Sequence, residues 1–494
     1  MKKINIIIVL IFILTFALRA GLLFQKDGLF YDEVLNMTAA NHNELYFNKA
    51  NYFQTDKTYY GSDVKKMFLL DNSSLKDAIS DIRALHKNSG DILHTNFYYS
   101  LVRISLIGLD NYNLNDYLIR IGCLNLILFS LSFFIMYKLL NMIFEDKKYL
   151  AVGLFLAFFN PISMYNTIFL REYQLQELFV ILITYLALLY YKNPLRPKDI
   201  PLVSLTMAFS LLSGYYISII TGYFFIMLLF KKDFKNFFII AICTLCILLI
   251  LYPSYFNVFI ERFFHNNVLT SVSKTAPENT GSTFFLITYL KYIVSVYRFI
   301  CSYILTLFFI WLAFKTPKNS NKKLIYLITA LSWIWIIIVM STAPYKISRY
   351  INPIIPICTI ILSWLLCCNK TKKALIITAC FLTIHVGIVT ANTFSNNDSL
   401  KFRIKLEENQ KLIIEEKKQL PIYIISKNYE TLARLINNIN DNQKVTFINS
   451  INNIKDKNYY LCTDENNIKT YLDEILYTKK QDTNMFYNCY EFSE

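Results

Sequence analysis

The chain has 494 residues, of which 55% are hydrophobic and only 17% charged, with a formal net charge of +15. Soluble domains run about 45–50% apolar and about 25% charged, so a soluble globular enzyme is excluded. The positive charge does not mark a nucleic-acid partner either. Lys and Arg sit in short clusters beside apolar runs, which is the topology signal of membrane proteins.

In chain order, Met1-Lys2-Lys3 and the apolar run from Ile4 to Leu18 mimic a signal peptide. No small-residue cleavage site follows, and the run continues past Arg19 to Phe24, so we read it as an uncleaved first span. Further runs near the roughly 20 residues that cross a bilayer lie at about 117–140, 149–168, 174–191, 200–214, 216–230, 236–253, 290–314, 323–342, 351–368 and 373–392. Backbone in lipid satisfies its own hydrogen bonds, and runs of this length do so as helices. The expected fold is therefore an all-α polytopic membrane protein of about eleven spans.

Orientation follows from charge. With the N-terminus cytoplasmic, the inside connections hold Lys2-Lys3, Lys147-Lys148, Lys192/Arg196/Lys198, Lys231-Lys232/Lys235, Lys315/Lys318/Lys322-Lys323 and Lys370/Lys372-Lys373. The turn near Ser213-Gly214 divides 200–230 into two short spans and carries no charge. An odd span count then places the tail outside.

Two regions stand outside the membrane. The first loop, about 25–116, is long enough to be functional rather than a connector. Within it Leu75, Ala78, Ile79, Ile82 and Leu85 form one helical stripe, with Ser74 as N-cap and Gly90 beyond the end. Such a helix suits the membrane surface. The tail, about 395–494, reads as a small α/β domain. Its strands are expected at Pro421 to Ser426, Lys444 to Ile448 and Tyr459 to Cys462, with helices at about 429–439 and 466–477. Residues 1–394 make the membrane domain.

The ten cysteines show no metal spacing. Cys243, Cys246, Cys301, Cys358 and Cys380 lie in apolar runs, where packing is the default role. Cys462 and Cys489 fall in the polar tail, where a disulfide fits an oxidising compartment.

Four clusters carry chemistry. Asp32 and Glu33 follow the first span; acids suit a helix start, and a positioned carboxylate also takes a proton from a hydroxyl nucleophile. His94-Thr95-Asn96-Phe97-Tyr98-Tyr99 closes the first loop, either as an interfacial aromatic cluster or as part of a site. Arg171-Glu172-Tyr173 ends the third span on the outer side, where the charge bias disfavours a cation and an anionic partner favours one. Tyr345-Lys346-Ile347-Ser348-Arg349-Tyr350 sets two cations and two phenols within six residues, as an interfacial anchor or a phosphate clamp. Their coincidence on one membrane face is what transfer from an anionic lipid donor requires.

The ordered set resembles the GT-C membrane glycosyltransferases that use polyprenyl-phosphate sugars, closest to the bacterial branch of lipid A aminoarabinose transferases, RgtA-like lipopolysaccharide transferases and protein O-mannosyltransferases. Asp32-Glu33 matches the acidic pair of that family's first outer loop. His94, Tyr98 and Tyr99 match its His-Pro-Pro-Leu-Tyr-Tyr segment, although both prolines are replaced. Leu101-Val102-Arg103 to Gly108 and Leu118-Ile119-Arg120 resemble its continuation, and Arg171 and Arg349-Tyr350 occupy familiar places. Ser213-Gly214-Tyr215 stands where many relatives carry a His. The resemblance covers roughly residues 1–370.

That resemblance implies transfer of a sugar from a polyprenyl-phosphate carrier to an envelope acceptor (lipopolysaccharide or lipid A, another glycan, or a protein) at the outer face of the inner membrane. Asp32 would be the general base, and Glu33 would orient the acceptor or share that catalytic role. Arg171, Lys346, Arg349, Tyr345 and Tyr350 would bind the carrier phosphate, and His94, Tyr98 and Tyr99 would shape the loop. Single displacement implies inversion. No metal or other cofactor is required, and Asp32, Glu33 and His94 leave a divalent ion open as an alternative. A flippase for lipid-linked glycans is the competing class, and it predicts charge buried within spans; a glycan polymerase or ligase is the competing enzyme.

Overall fold

The computed structural model describes residues 2–26, 29–42, 54–66, 73–87, 96–109, 114–253, 255–256, 290–291, 293–294, 296–297, 306–313, 322–342, 348–369, 373, 376–380, 383–384, 387, 420–425, 439–449, 451–463, 479–481 and 488–492. Helix α1 (Lys2–Phe24) opens the chain. Its Ile6, Ile7, Leu10 and Ile13 are exposed, as expected of a face meeting lipid rather than water. The first loop contributes α2 (Tyr31–His42), β1 (Thr58–Tyr60), α3 (Gly61–Lys66), α4 (Leu75–Lys87) and α5 (Phe97–Ser105).

These short helices are started by acids. The Phe30 amide donates to Glu33 at 2.6 Å and the Tyr60 amide to Asp63 at 3.2 Å. In each case an acid three residues into the helix binds the N-cap amide, half of a capping box. Ser74 caps α4 as its sequence foretells, accepting from the Asp77 amide at 3.1 Å and donating to the Asp77 carboxylate. Part of the α4 apolar stripe is used against α2 rather than a membrane surface, with Ala78 and Leu85 buried and Leu75 and Ile79 exposed.

The helices of the apolar region follow: α6 (Leu114–Ile143), α7 (Lys147–Phe158), α8 (Pro161–Ile168), α9 (Tyr173–Lys192), α10 (Ile200–Leu211), α11 (Ile217–Phe230), α12 (Phe234–Leu251), α13 (Lys322–Thr342) and α14 (Ile355–Asn369). The run expected as one span at 149–168 is two helices bent by 57°. Pro161 has no amide to continue α7, and Asn160 starts α8 by accepting from the Ser163 amide at 2.9 Å. At Ser213-Gly214 the chain does divide into α10 and α11. A Cβ at Gly214 would meet the Gln176 side chain of α9, whose amide donates to the Ser213 carbonyl at 3.0 Å.

Among the described residues five helices are long and apolar enough to cross a bilayer, or six if the bent α7–α8 pair is one span. The runs expected at 290–314 and 373–392 are described only in part, at 290–291, 293–294, 296–297, 306–313, 373, 376–380, 383–384 and 387. The protein is thus a multi-pass integral membrane protein.

Two compact units divide the chain. The first comprises Met1–Leu22, Ile92–Tyr98 and Gly122–Asp398; the second comprises Leu23–Asp91, Tyr99–Ile121 and Ser399–Glu494. In the first, α9 is the central helix, packed against α8, α10, α11 and α14, while α7 lies along α14 and α10 along α12. The second holds a six-stranded sheet in the order β1-β3-β2-β4-β6-β5, made of β2 (Ile422–Ile424), β3 (Lys444–Phe447), β4 (Tyr459–Thr463), β5 (Lys479–Gln481) and β6 (Asn488–Phe492) with β1. Strands β3, β2 and β4 are parallel, and the outer pairings are antiparallel.

The expected tail strands are β2, β3 and β4. The sheet also takes β1 from the first loop, with Thr58 opposite Thr446 and their hydroxyls 3.0 Å apart. Cys462 is disulfide-bonded, and the β4–β6 register sets it opposite Cys489. The helices expected at 429–439 and 466–477 fall almost wholly outside the described residues.

Gly61 closes the junction of loop and tail. Its amide donates to the Gln443 carbonyl at 2.8 Å, and a Cβ there would strike the Asn440 carbonyl. Gly61→Val should therefore destabilise the second unit by about 1–3 kcal/mol. Limited proteolysis of membranes would show it as faster cleavage within both 54–66 and 439–463, with the membrane helices unaffected.

Candidate functional site

The first unit brings together the segments that carry Arg171 and Arg349. Helix α8 ends at Phe169, whose amide bonds the Tyr165 carbonyl, and the Arg171 amide bonds back to the Phe169 carbonyl at 2.7 Å. This tight turn leads into α9 at Tyr173. Arg171 and Glu172 are both buried and form an ion pair at 3.1 Å. Glu172 stands at the N-cap of α9 without capping it through its side chain.

Tyr173 stacks on Phe169 with centroids 5.9 Å apart and meets Tyr350 edge-on at 6.5 Å. Tyr350 in turn packs on Tyr216 at 6.1 Å, and its carbonyl accepts from Trp335 at 3.4 Å. The Arg349 guanidinium lies 5.4 Å from the Tyr350 ring centroid. The Tyr173–Tyr350 contact thus brings together two segments some 180 residues apart in sequence (349 − 171 = 178), each carrying an arginine within two positions of its tyrosine. The arrangement offers two cations and aromatic hydroxyls to one anion.

Beneath this turn lies a buried polar seam. Arg19 is fully buried in α1. It donates to Thr167 Oγ1 at 3.0 Å, to the Thr15 carbonyl at 3.1 Å, and to the Phe158 carbonyl and Ser163 Oγ at 2.9 Å each. Its guanidinium also sits 4.0 Å from the Phe129 ring centroid. Glu177 of α9 accepts from Ser163 at 3.3 Å, Asn166 at 2.8 Å and Gln174 at 3.0 Å, and Gln174 accepts from Thr167 at 2.7 Å. Cation and carboxylate thus share Ser163, and a second path joins them through Thr167 and Gln174.

Other expected residues divide by unit. Tyr98 is fully buried in the first, donating to Asn125 Oδ1 at 3.1 Å. In the second, Asp32 and Glu33 lie in the first turn of α2. Glu33 is buried and pairs with Lys26 at 2.9 Å, while Asp32 keeps partial solvent access. Tyr99 is buried there too. His94, Tyr345 and Lys346 lie outside the described residues. Among the described residues no three His, Cys, Asp or Glu side chains converge as a metal site.

Sequence reasoning passed over Tyr216, whose aromatic character merges with the span it precedes, and over the packing of Tyr173 on Tyr350. It also passed over Lys26, Gln174 and Glu177. A signal for the last existed: an ionisable residue inside a span calls for a named partner, and Arg19 is the matching charge.

The bent α7–α8 pair, the bundle around α9 and the loop–tail sheet define a multi-pass helical membrane protein that carries a small mixed sheet. No family model matches the chain, and no curated protein matches it in sequence. Among solved structures it is similar to ArnT from Cupriavidus metallidurans bound to undecaprenyl phosphate, with a TM-score of 0.53 at 10% identity over 98% of this chain and 97% of that one. The apo state of ArnT from the same organism gives a TM-score of 0.45 at 10% identity, covering 90% and 95%.

Removing one end of the seam should be more harmful than removing both. Arg19→Met leaves Glu177 buried without its cation and is expected to destabilise the bundle by about 3 kcal/mol or more. Adding Glu177→Gln should return part of that loss. Thermal unfolding of the purified variants in detergent checks the order.

Proposed function

We propose that this chain transfers a sugar from a polyprenyl-phosphate carrier to an acceptor of the cell envelope. The observation that carries the reading is the packing of Tyr350, with the Arg349 guanidinium 5.4 Å from its ring, against Tyr173 at the end of the Arg171 turn, in a chain whose fold is similar to that of ArnT, a protein solved with undecaprenyl phosphate. A lipid monophosphate is both the product of such a reaction and its leaving group. Two fixed cations offset the charge that grows on it as the sugar–phosphate bond breaks.

In this reading Arg171, Arg349 and Tyr350, with Lys346 and Tyr345, bind the carrier phosphate. An acceptor hydroxyl or amine attacks the anomeric carbon, the carrier leaves as polyprenyl phosphate, and Asp32 takes the acceptor proton. One displacement inverts the anomeric centre. Glu33, held by Lys26 and the Phe30 amide, fixes the first turn of α2 and so the place of Asp32. His94, Tyr98 and Tyr99 belong to the segment entering α5. Fixed cations do the electrostatic work without a cofactor. We place the N-terminus in the cytoplasm and the tail, about 395–494, outside the inner membrane, where lipopolysaccharide or lipid A, another glycan or a protein is the acceptor.

The flippase reading draws on Arg19 and Glu177, which are charges within spans. Their groups are bonded to fixed neighbours on several sides, which suits a structural seam better than a transport path.

The test is a reconstituted assay with carrier-linked sugars and envelope acceptors. Wild type should consume donor with matching gain on the acceptor. Asp32→Asn should lower the rate by about 10²–10⁴-fold with undecaprenyl phosphate binding retained, and Arg349→Gln should weaken that binding. Movement of intact carrier-linked sugar across the bilayer, with its phosphate bond unbroken, would sink the transferase reading in favour of the flippase.

A further inference from the structure

The turn that presents Arg171 is held from outside by two residues that none of the reading above employs in the clamp. Asn125 lies in α6, a 30-residue helix otherwise built for lipid and core. Its side chain is fully buried. Its Nδ2 donates to the Thr167 carbonyl at 3.0 Å and to the Phe169 carbonyl at 3.4 Å. The Phe169 carbonyl is also the acceptor of the Arg171 amide, so Asn125 holds the atom on which the Arg171 turn closes.

The amide can grip those carbonyls only if its NH₂ faces them, and Tyr98 sets that orientation. Its hydroxyl donates to Asn125 Oδ1 at 3.1 Å. With one bond accepted and two donated, the amide is engaged at both ends, and neither residue has water as a substitute because both are fully buried. Carbonyls at a helix C-terminus lack partners within the helix. Here they find them on a neighbouring span, which locks the exit direction of the chain from α8 and with it the Arg171 backbone.

We propose that Asn125 and Tyr98 are positioning residues for the carrier phosphate, acting through Arg171. This rests on the phosphate-clamp reading given above. Neither group touches the phosphate. Tyr98 orients the Asn125 amide, the amide fixes the Thr167 and Phe169 carbonyls, and these set where the Arg171 guanidinium stands. Displacing a binding group by about 1 Å costs on the order of 10²-fold in a tuned site, so loosening this brace registers in carrier binding before it registers in the fold.

The experiment uses full-length protein in nanodiscs, with undecaprenyl phosphate as the probe, and measures its affinity and the melting temperature for each variant. Arg171→Ala defines loss of the clamp. Asn125→Leu is expected to weaken binding about tenfold or more. Asn125→Asp, which sets a carboxylate oxygen against the two carbonyls, should weaken it further still. Tyr98→Phe removes one hydroxyl and is the variant least able to unfold the chain; it should weaken binding about threefold to tenfold with little change in melting temperature.

On the Arg171→Ala background, Tyr98→Phe should have no further effect, because the residue it serves is gone. Wild-type affinity in the folded Tyr98→Phe and Asn125→Leu proteins, with Arg171→Ala defective, overturns the positioning role and leaves the clamp intact. Full additivity of Tyr98→Phe with Arg171→Ala overturns it as well. Equal binding by wild type and Arg171→Ala overturns the clamp reading and this proposal with it.

Discussion

A guanidinium shut away from both water and lipid has to be given fixed acceptors, and Arg19 receives them from four places at once. Thr15 belongs to its own helix, Phe158 ends α7, and Ser163 and Thr167 lie on α8. These bonds work only if α7 stops where it does, so the bend at Asn160-Pro161 and the burial of the cation require each other. Glu177 and Gln174 then tie the Ser163 and Thr167 hydroxyls, respectively, to α9. An apolar bundle in lipid has little hydrophobic reason to prefer one helix arrangement over another. The polar seam supplies that preference, and α9, the helix it fixes, is the one whose first turn carries the outer cluster.

The first loop is organised by a smaller version of the same device. Glu33 is buried and answers two groups, the Lys26 ammonium and the Phe30 amide. It thereby sets the start of α2 and leaves its neighbour Asp32 as the more accessible acid. Adjacent carboxylates that look interchangeable in sequence differ in burial, Glu33 enclosed and Asp32 partly open to solvent.

Local signals were legible and distant ones were not. Ser74 with Asp77, the stripe from Leu75 to Leu85, and Gly214 between two apolar runs each act within a turn or two of chain, and each marks an element found in the fold. Asn160-Pro161 was an equally local signal, an N-cap and a helix start, concealed by the apolar run on either side. Strand β1 has three residues, and its pairing partner lies almost 390 positions away (446 − 58 = 388), so no window of sequence contains it. The gathering of Arg171 with Arg349 is non-local in the same way. Their order along the chain suggested one membrane face, but only packing sets Tyr350, beside Arg349, against Tyr173, beside the Arg171 turn. Asn125 gave no signal at all, since one amide in a long apolar helix reads as tolerated polarity.

Strand β1 also constrains the path of the chain through the bilayer. A sheet with open edges does not survive in hydrocarbon, so Tyr60 and Lys444, opposite each other on paired strands, are on the same side of the membrane. Every crossing made between them must be matched by a return. The parity of the intervening spans is therefore even, whatever their number, and inserting or deleting a single hydrophobic helix anywhere in that stretch would part β1 from the strand it completes.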